Sequence, residues 1–218
     1  MHSPVLSASG IRRSHGSHAL LEGVSLTVPA GSALAVTGRS GSGKSTLLRC
    51  LGLLERVDGG EIRLHGEDVT RVTARRRTQL YRSTVGHLFQ NGALEDNWTV
   101  RQNLDVAFIG SPIRHADRRQ VRRSALERVE IARSERTRTH TLSGGERQRL
   151  AIARLLIRQP EVVFADEPTA ALDEATGAAI IHQLSTLREA GAAVVVATHD
   201  PAVARWADEC LELTTTGR

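Results

Sequence analysis

Nine residues, GRSGSGKST (Gly38 to Thr46), carry the densest chemistry in the chain. They fit the spacing G-x-x-x-x-G-K-[ST]. In that spacing glycines turn successive backbone N–H groups inward around a phosphate chain, at the positive end of the helix that follows. Lys44 is placed to reach the β- and γ-phosphates, and the Ser45 hydroxyl to coordinate Mg²⁺. Gly38, Arg39, Ser40, Gly41, Ser42, Gly43, Lys44, Ser45 and Thr46 are therefore expected to form the nucleotide cradle. Lys44 is the sole lysine among 29 basic residues. A compact ammonium suits a backbone cradle better than a planar guanidinium fork, which wants a bidentate acceptor at its edge.

Three further stretches extend this chemistry. In VVFADEP (162–168), Asp166 suits an indirect hold on Mg²⁺ and Glu167 suits orienting or deprotonating an attacking water. His199 ends the run VVVATH and is a candidate γ-phosphate contact; a histidine satisfied by a loop carbonyl is the plainer alternative. In TLSGGERQR (141–149), Ser143 and Glu146 have the spacing of a capping box. The box leaves Gly144 and Gly145 unexplained, because glycine weakens a helix by up to about 1 kcal/mol per residue. A glycine-floored helix start is a second anion site, which one nucleotide on one chain does not need but two chains facing each other do.

Alternating strand-like and helix-like segments position these residues and point to an α/β domain. GVSLTV (23–28) alternates, SALAVT (32–37) reads as a buried strand, and KSTLLRCLGLL (44–54) as a helix. GGEIRLHGED (59–68) reads as a hairpin edge and VGHLF (85–89) as a short strand. EVVFADE (161–167) and AAVVVATHD (192–200) have the apolar runs of central parallel strands. Ligands in such sheets bind at the carboxyl ends of strands, so Gly38–Lys44, Asp166–Glu167 and His199 are expected at one edge. Residues 91–140 show helical spacing and no convincing strand. They are expected to form a helical subdomain inserted between core segments 1–90 and 141–218.

The net charge is +5 and the pI about 10.4, a balance that favours anionic partners. Much of it lies in stretches 71–82, 114–123 and 128–138, read as solvated helix faces. Two Trp, one Tyr and three Phe are too few for a base-stacking platform, so nucleic acid is not an expected partner. Cys50 and Cys210 are too few for a disulfide framework and read as inert core thiols of a reducing compartment. No signal-peptide pattern opens the chain. The longest apolar run, Ala192–Ala197, has six residues, against about 20 for a spanning helix. A soluble chain is expected, and the tail TTTGR is expected to be frayed.

With these residues in view, the chain resembles the ATP-binding subunit of an ABC transporter over nearly its whole length. GRSGSGKST matches the Walker A loop, VVFADE the Walker B strand and LSGGERQR the signature. FQN matches the glutamine loop with Gln90, AALD (170–173) the D-loop with Asp173, and THD the switch histidine His199. Hairpin GGEIRLHGEDV and RSTVGHLFQN most resemble the lipoprotein-releasing, macrolide-efflux and antimicrobial-peptide-exporting subfamily.

The resemblance implies a P-loop NTPase fold of ABC type: a mostly parallel sheet, an antiparallel β edge and an inserted helical part. It implies ATP and Mg²⁺, with the metal near Ser45, Gln90 and Asp166 and catalysis by Glu167, His199, Gln90 and Lys44. Ser143, Gly144 and Gly145 would close over the γ-phosphate of a second copy, in a head-to-tail homodimer. It implies separately encoded transmembrane permease subunits and a place on the cytoplasmic face of the cell membrane. Export or extraction is the function implied first. Driving a transmembrane regulator of cell-wall enzymes is the alternative, and a soluble ATPase acting on ribosomes or DNA a more distant one. Three departures stand out. His15 sits where the family stacks an aromatic on adenine, Ala170 opens the D-loop, and Glu95, Asp96 and Asn97 replace a Leu-Pro type loop.

Overall fold

A computed structural model describes residues 4–16, 18–170 and 172–214. Two sheets organise the chain. The first is antiparallel, in the order β2-β1-β4-β5, from β1 (Pro4–His15), β2 (His18–Pro29), β4 (Gly59–Leu64) and β5 (Glu67–Asp68). The second is parallel, in the order β6-β7-β8-β3-β9. It contains β3 (Ala33–Thr37), β6 (Val85–Leu88), β7 (Val162–Asp166), β8 (Ala193–Ala197) and β9 (Glu209–Glu212). The helices are α1 (Lys44–Leu51), α2 (Ala74–Ser83), α3 (Val100–Asp105), α4 (Arg118–Arg128), α5 (Gly144–Arg158), α6 (Glu174–Glu189) and α7 (Pro201–Trp206).

The central strands read as apolar runs because both of their faces are covered. In β7, Val163 and Ala165 face a core shared with α3, α4, α5 and α6, whereas Val162 and Phe164 face one shared with α1 and the antiparallel sheet. Burial of such side chains stabilises each by roughly 1.5–3 kcal/mol. The parallel sheet aligns its strands so that the residues after β3, β6, β7 and β8 emerge at one carboxyl edge. Between residues 91 and 140 the described regular elements are α3, α4 and short 3₁₀ turns, with one isolated bridge between Thr99 and Arg138.

Several expectations need correction. The helix expected over 44–54 stops at Leu51: Gly52 caps it and Leu53 turns left-handed at φ 62°. The strand β1 escaped notice because bulges between Ala8 and Arg12 break its alternation. Cys50 is buried, but Cys210 is exposed on the edge strand β9, with its sulfur 3.3 Å from Thr37 Oγ1. The arginine-dense stretches are not uniformly solvated either. Arg122 is 5% exposed and donates to Asp105 Oδ1 at 2.8 Å and Glu135 Oε2 at 3.0 Å. The last residues of the TTTGR tail, 215–218, lie outside the described residues, as does Ala171 of the D-loop stretch.

Candidate active site

The loop after β3 is shaped by its glycines. A Cβ on Gly38, at φ 140°, would lie 2.5 Å from the Leu213 carbonyl oxygen and 2.7 Å from Ser42 Oγ. One on Gly43, at φ 92°, would lie 2.7 Å from the carbonyl oxygen of Leu20 on β2. Left-handed backbone and close approach of a neighbouring strand thus both exclude a side chain. Gly43 is the N-cap of α1 and provides no side-chain cap. The first-turn amides of α1 are therefore available to an anion.

Lys44 opens α1, 8% exposed, and its ammonium donates to the carbonyls of Gly38 at 2.9 Å and Arg39 at 3.2 Å. The loop curls around this one cation, as a backbone cradle requires. Arg39, Ser40 and Gly41 are exposed at its crest. Ser42 is buried with its hydroxyl unpartnered, and Thr46 accepts from Arg49 at 3.3 Å.

Behind the loop, Ser45 Oγ donates to Asp166 Oδ1 at 2.9 Å, joining the start of α1 to the end of β7. Glu167 follows in the left-handed region at φ 47°, a conformation that non-glycine residues rarely adopt. Two contacts hold it there. Its N–H donates to the Ala197 carbonyl at 3.0 Å, and its Oε2 accepts from His199 Nδ1 at 2.8 Å. The ends of β7 and β8 are thereby tied through the two residues expected from sequence to orient or deprotonate the attacking water and to contact the γ-phosphate. Asp200, next to His199, N-caps α7 through the Ala202 amide at 2.7 Å.

The signature segment lies at the start of α5. Ser143 Oγ accepts from the Glu146 amide at 3.2 Å while Glu146 Oε2 accepts from the Ser143 amide at 2.8 Å. Arg133 pairs with Glu146 at 2.7 Å and, with the Ser143 amide, holds that carboxyl below its usual range. The cap uses a lone pair of the hydroxyl and leaves its proton free, so capping and anion binding are compatible roles for Ser143. A Cβ on Gly145 would lie 3.0 Å from Thr176 Cγ2, whereas one on Gly144 would meet nothing within 4 Å. Nothing within the described residues requires glycine at 144.

Direct contact thus joins Ser45 with Asp166 and Glu167 with His199. Gln90, two residues beyond β6, is exposed, and among the described residues neither it nor His15 makes a side-chain hydrogen bond to the loop. His15 sits at the turn end of the β1–β2 hairpin, paired across it with His18. Asp173 N-caps α6 through Thr176 Oγ1 at 2.7 Å and the Thr176 amide at 2.9 Å, which lowers its carboxyl pKa. Asp96 pairs with Arg147, so part of the unusual 95–97 loop is bound back to α5.

Sequence reasoning passed over His87. This β6 side chain stacks on Phe89 and Phe164, with ring centroids 5.4 and 5.7 Å away, and its Nε2 lies 3.1 Å from the Gly52 carbonyl. Burial pushes its pKa down to about 4. Only the apolar alternation of VGHLF could have pointed to it, and a histidine in that run reads as a surface position.

A parallel sheet with a glycine cradle at its carboxyl edge, a lysine inside the cradle and a carboxylate at the end of a neighbouring strand defines a P-loop nucleotide hydrolase. The more particular assignment follows from known proteins. The family model described as ABC transporter matches residues 21–170, and the chain belongs to that family. It is 36% identical to the macrolide export ATP-binding/permease protein MacB of Shigella flexneri over 97% of this chain and 33% of the relative. It is likewise 36% identical to the pyoverdine export ATP-binding/permease protein PvdT of Pseudomonas syringae pv. tomato, over 98% and 33%. The chain thus spans about a third of the length of these curated relatives. A dimeric structure of the ATP-binding cassette MJ0796 in a post-hydrolysis state, bound to ADP and Pi, superposes with a TM-score of 0.89 at 31% identity. It covers 96% of this chain and 94% of that one. The fold is the P-loop NTPase fold of ABC type, and the chain is an ATP-binding, ATP-hydrolysing cassette. No helix among the described residues is long and apolar enough to cross a membrane.

Proposed function

We propose that this cassette powers export or extraction of a substrate through transmembrane permease partners. It works as a head-to-tail homodimer, peripheral on the cytoplasmic face of the membrane, with residues 91–140 as a helical subdomain between two core segments. Export is the activity carried in the names of its relatives MacB and PvdT. Gly38 to Thr46 cradle the phosphates of ATP, and Lys44 exchanges its loop carbonyls for phosphate oxygens. His15 lies at the adenine end. Glu167 deprotonates the attacking water while His199 holds its carboxylate and senses the γ-phosphate.

The donors fit Mg²⁺. Ser45 Oγ and Asp166 Oδ1 are 2.9 Å apart, two hard oxygen donors that would hold the cation together, Ser45 directly and Asp166 indirectly. Among the described residues no group of three or more His, Cys, Asp or Glu could enclose a metal. Gln90 would add a third protein oxygen toward the cation. When bound, Mg²⁺ neutralises charge developing on the phosphates.

Ser143, Gly144 and Gly145 close over the nucleotide of the opposite copy, and the open space at Gly144 is the room this approach needs. Charge-assisted hydrogen bonds contribute roughly 1.5–3 kcal/mol each. A few per site supply the ~5.5 kcal/mol that swings a two-state equilibrium from 1:99 to 99:1. Hydrolysis separates the γ-phosphate and loosens those bridges.

The observation that carries this reading is Glu167, held left-handed against His199 at the edge that bears the phosphate loop. Glu167→Gln should lower turnover by about 10²–10⁴-fold, retain ATP binding, and produce an ATP-dependent dimer in size-exclusion chromatography. Unimpaired hydrolysis in that variant would remove Glu167 from the base role.

A further inference from the structure

Away from the phosphate loop, a depression of about 620 Å³ opens between α4 and the segment 131–136 that follows it. Six arginines line it: Arg101, Arg119, Arg122, Arg123, Arg133 and Arg136. Leu126 and Ile131, both buried, supply its apolar wall. Four of the arginines are already matched. Arg101 and Arg122 share Asp105, Arg122 also reaches Glu135, Arg123 pairs with Glu127, and Arg133 with Glu146. Arg119 and Arg136 make no ion pair and no side-chain hydrogen bond among the described residues. Six cations against four carboxylates leave a surplus of two positive charges.

The local backbone adds to that surplus. α4 opens on Arg118 and Arg119, with no acidic residue in its first turn and no side-chain cap. Arg119 therefore sits at the positive end of the helix dipole, where an anion is stabilised and a cation is not. Asp117, the residue before the helix, is turned to Arg114 at 2.8 Å, and Arg118 lies over the Phe108 ring. Arg122 gives the depression a rigid edge. It is 5% exposed, Glu135 and Asp105 hold its Nε and Nη1, and its Nη2 donates to nothing among the described residues. Like charges at i, i+3 and i+4 on one helix, as at 119, 122 and 123, repel each other. Arg136 converges on the same hollow from the following segment. Such a wall is relieved by an anion that enters it.

We propose that this depression binds a phosphomonoester dianion, held by the unpaired guanidinium groups of Arg119 and Arg136 against the free Nη2 of Arg122. A phosphomonoester carries a charge of about −1.5 to −2 near pH 7 and presents three acceptor oxygens. It thus matches the surplus charge and offers an oxygen to each of the three arginines. Guanidinium forks take phosphate oxygens in pairs, which a lysine cluster would not do. A phosphodiester, singly charged, leaves half of the surplus unmet. The same chemical group is presented by a soluble phosphomonoester and by the headgroup of phosphatidic acid. None of the lining residues belongs to the phosphate loop or to Ser143–Gly145, so this is a site apart from the nucleotide.

The test is calorimetry with glycerol 3-phosphate on the full chain saturated with ADP, which keeps the phosphate loop filled. Binding should be saturable, with a Kd of about 1 mM or tighter. Dimethyl phosphate, a singly charged diester, should bind at least about ten-fold more weakly. The double change Arg119→Gln and Arg136→Gln should weaken glycerol 3-phosphate by about ten-fold or more. Both side chains are exposed and unpaired, so the melting temperature of the free chain should not move. Arg71→Gln with Arg75→Gln removes the same charge from exposed positions at and before α2 and should leave binding within about two-fold. Sedimentation with vesicles of phosphatidic acid in phosphatidylcholine separates the two sources. Capture that the Arg119/Arg136 variant loses supports the site with a lipid headgroup as its ligand. Glycerol 3-phosphate binding without capture supports it with a soluble one. The proposal is overturned if neither probe binds, or if diester and monoester bind alike. It is equally overturned if binding survives the Arg119/Arg136 change, or falls as far with the Arg71/Arg75 change. None of these outcomes depends on the permease reading or on Glu167.

Discussion

Replacing His87 by phenylalanine should flatten the pH dependence of stability between pH 7 and pH 5. The imidazole lies between Phe89 and Phe164, edge-on to Tyr81, and donates Nε2–H to the Gly52 carbonyl. Burial lowers its pKa from 6.5 to about 4, the Gly52 carbonyl works against that shift, and the nearby Arg158 cation adds to it. As pH falls, the unfolded chain takes up the proton first. Stability is therefore complete above about pH 6.5, is lost progressively toward pH 4, and levels off below. A shift from 6.5 to about 4 corresponds to about 3 kcal/mol in full, of which about 2 kcal/mol is lost between pH 7 and pH 5. The assay is urea unfolding of wild type and His87→Phe at both values. The phenylalanine variant forfeits the Gly52 hydrogen bond at either pH, and that constant offset cancels in the difference. The remaining histidines and carboxylates contribute alike to both proteins. Wild type should lose about 2 kcal/mol more than the variant on acidification. Equal losses would mean that His87 is solvated and charged in the native state, and the packing around Gly52 would need another explanation.

Gly38→Ala should destabilise the fold by about 1–3 kcal/mol through strained backbone and crowding against the Leu213 carbonyl; its melting temperature should no longer rise on addition of MgATP, and an undiminished rise would contradict the cradle geometry. Arg122→Met removes the one buried guanidinium that pairs with two partly exposed carboxylates, Glu135 and Asp105, the latter also reaching Arg101. It should cost about 1–3 kcal/mol in denaturant melts, whereas Arg123→Ala, breaking an exposed pair with Glu127, should stay within about 0.5 kcal/mol. An Arg122 variant no weaker than the Arg123 one would show that burial of that ion pair contributes nothing.

What could be read before the fold was seen depended on how completely each residue's environment was local. β3, β7 and β8 were legible because apolar cover on both faces leaves a continuous run. The Ser143–Glu146 box was legible because a cap is closed within four residues. β1 was not, since its bulges are relieved only by pairing with β2 and β4. β9 was not, because an exposed edge strand reading ECLE carries no apolar period, and Cys210 was misplaced with it. The end of α1 at Gly52 depends on a ring from β6: a Cβ there would come 2.2 Å from His87 Cε1. At the site, the residue types were legible but not their pairings. Ser45 with Asp166 and Glu167 with His199 are contacts across 121 and 32 residues, fixed by strand order alone.

The backbone at Glu167 sets stability against the base role proposed for it. A left-handed position is where glycine costs least, and a carboxylate there is maintained at the expense of strain that its neighbours must absorb. Selection for thermal robustness alone would drift this position toward glycine and remove the proposed base in doing so. Lineages of this chain that abandoned hydrolysis but kept the fold should therefore carry their first neutralising change at 167, before any at Lys44, whose ammonium the surrounding carbonyls already satisfy.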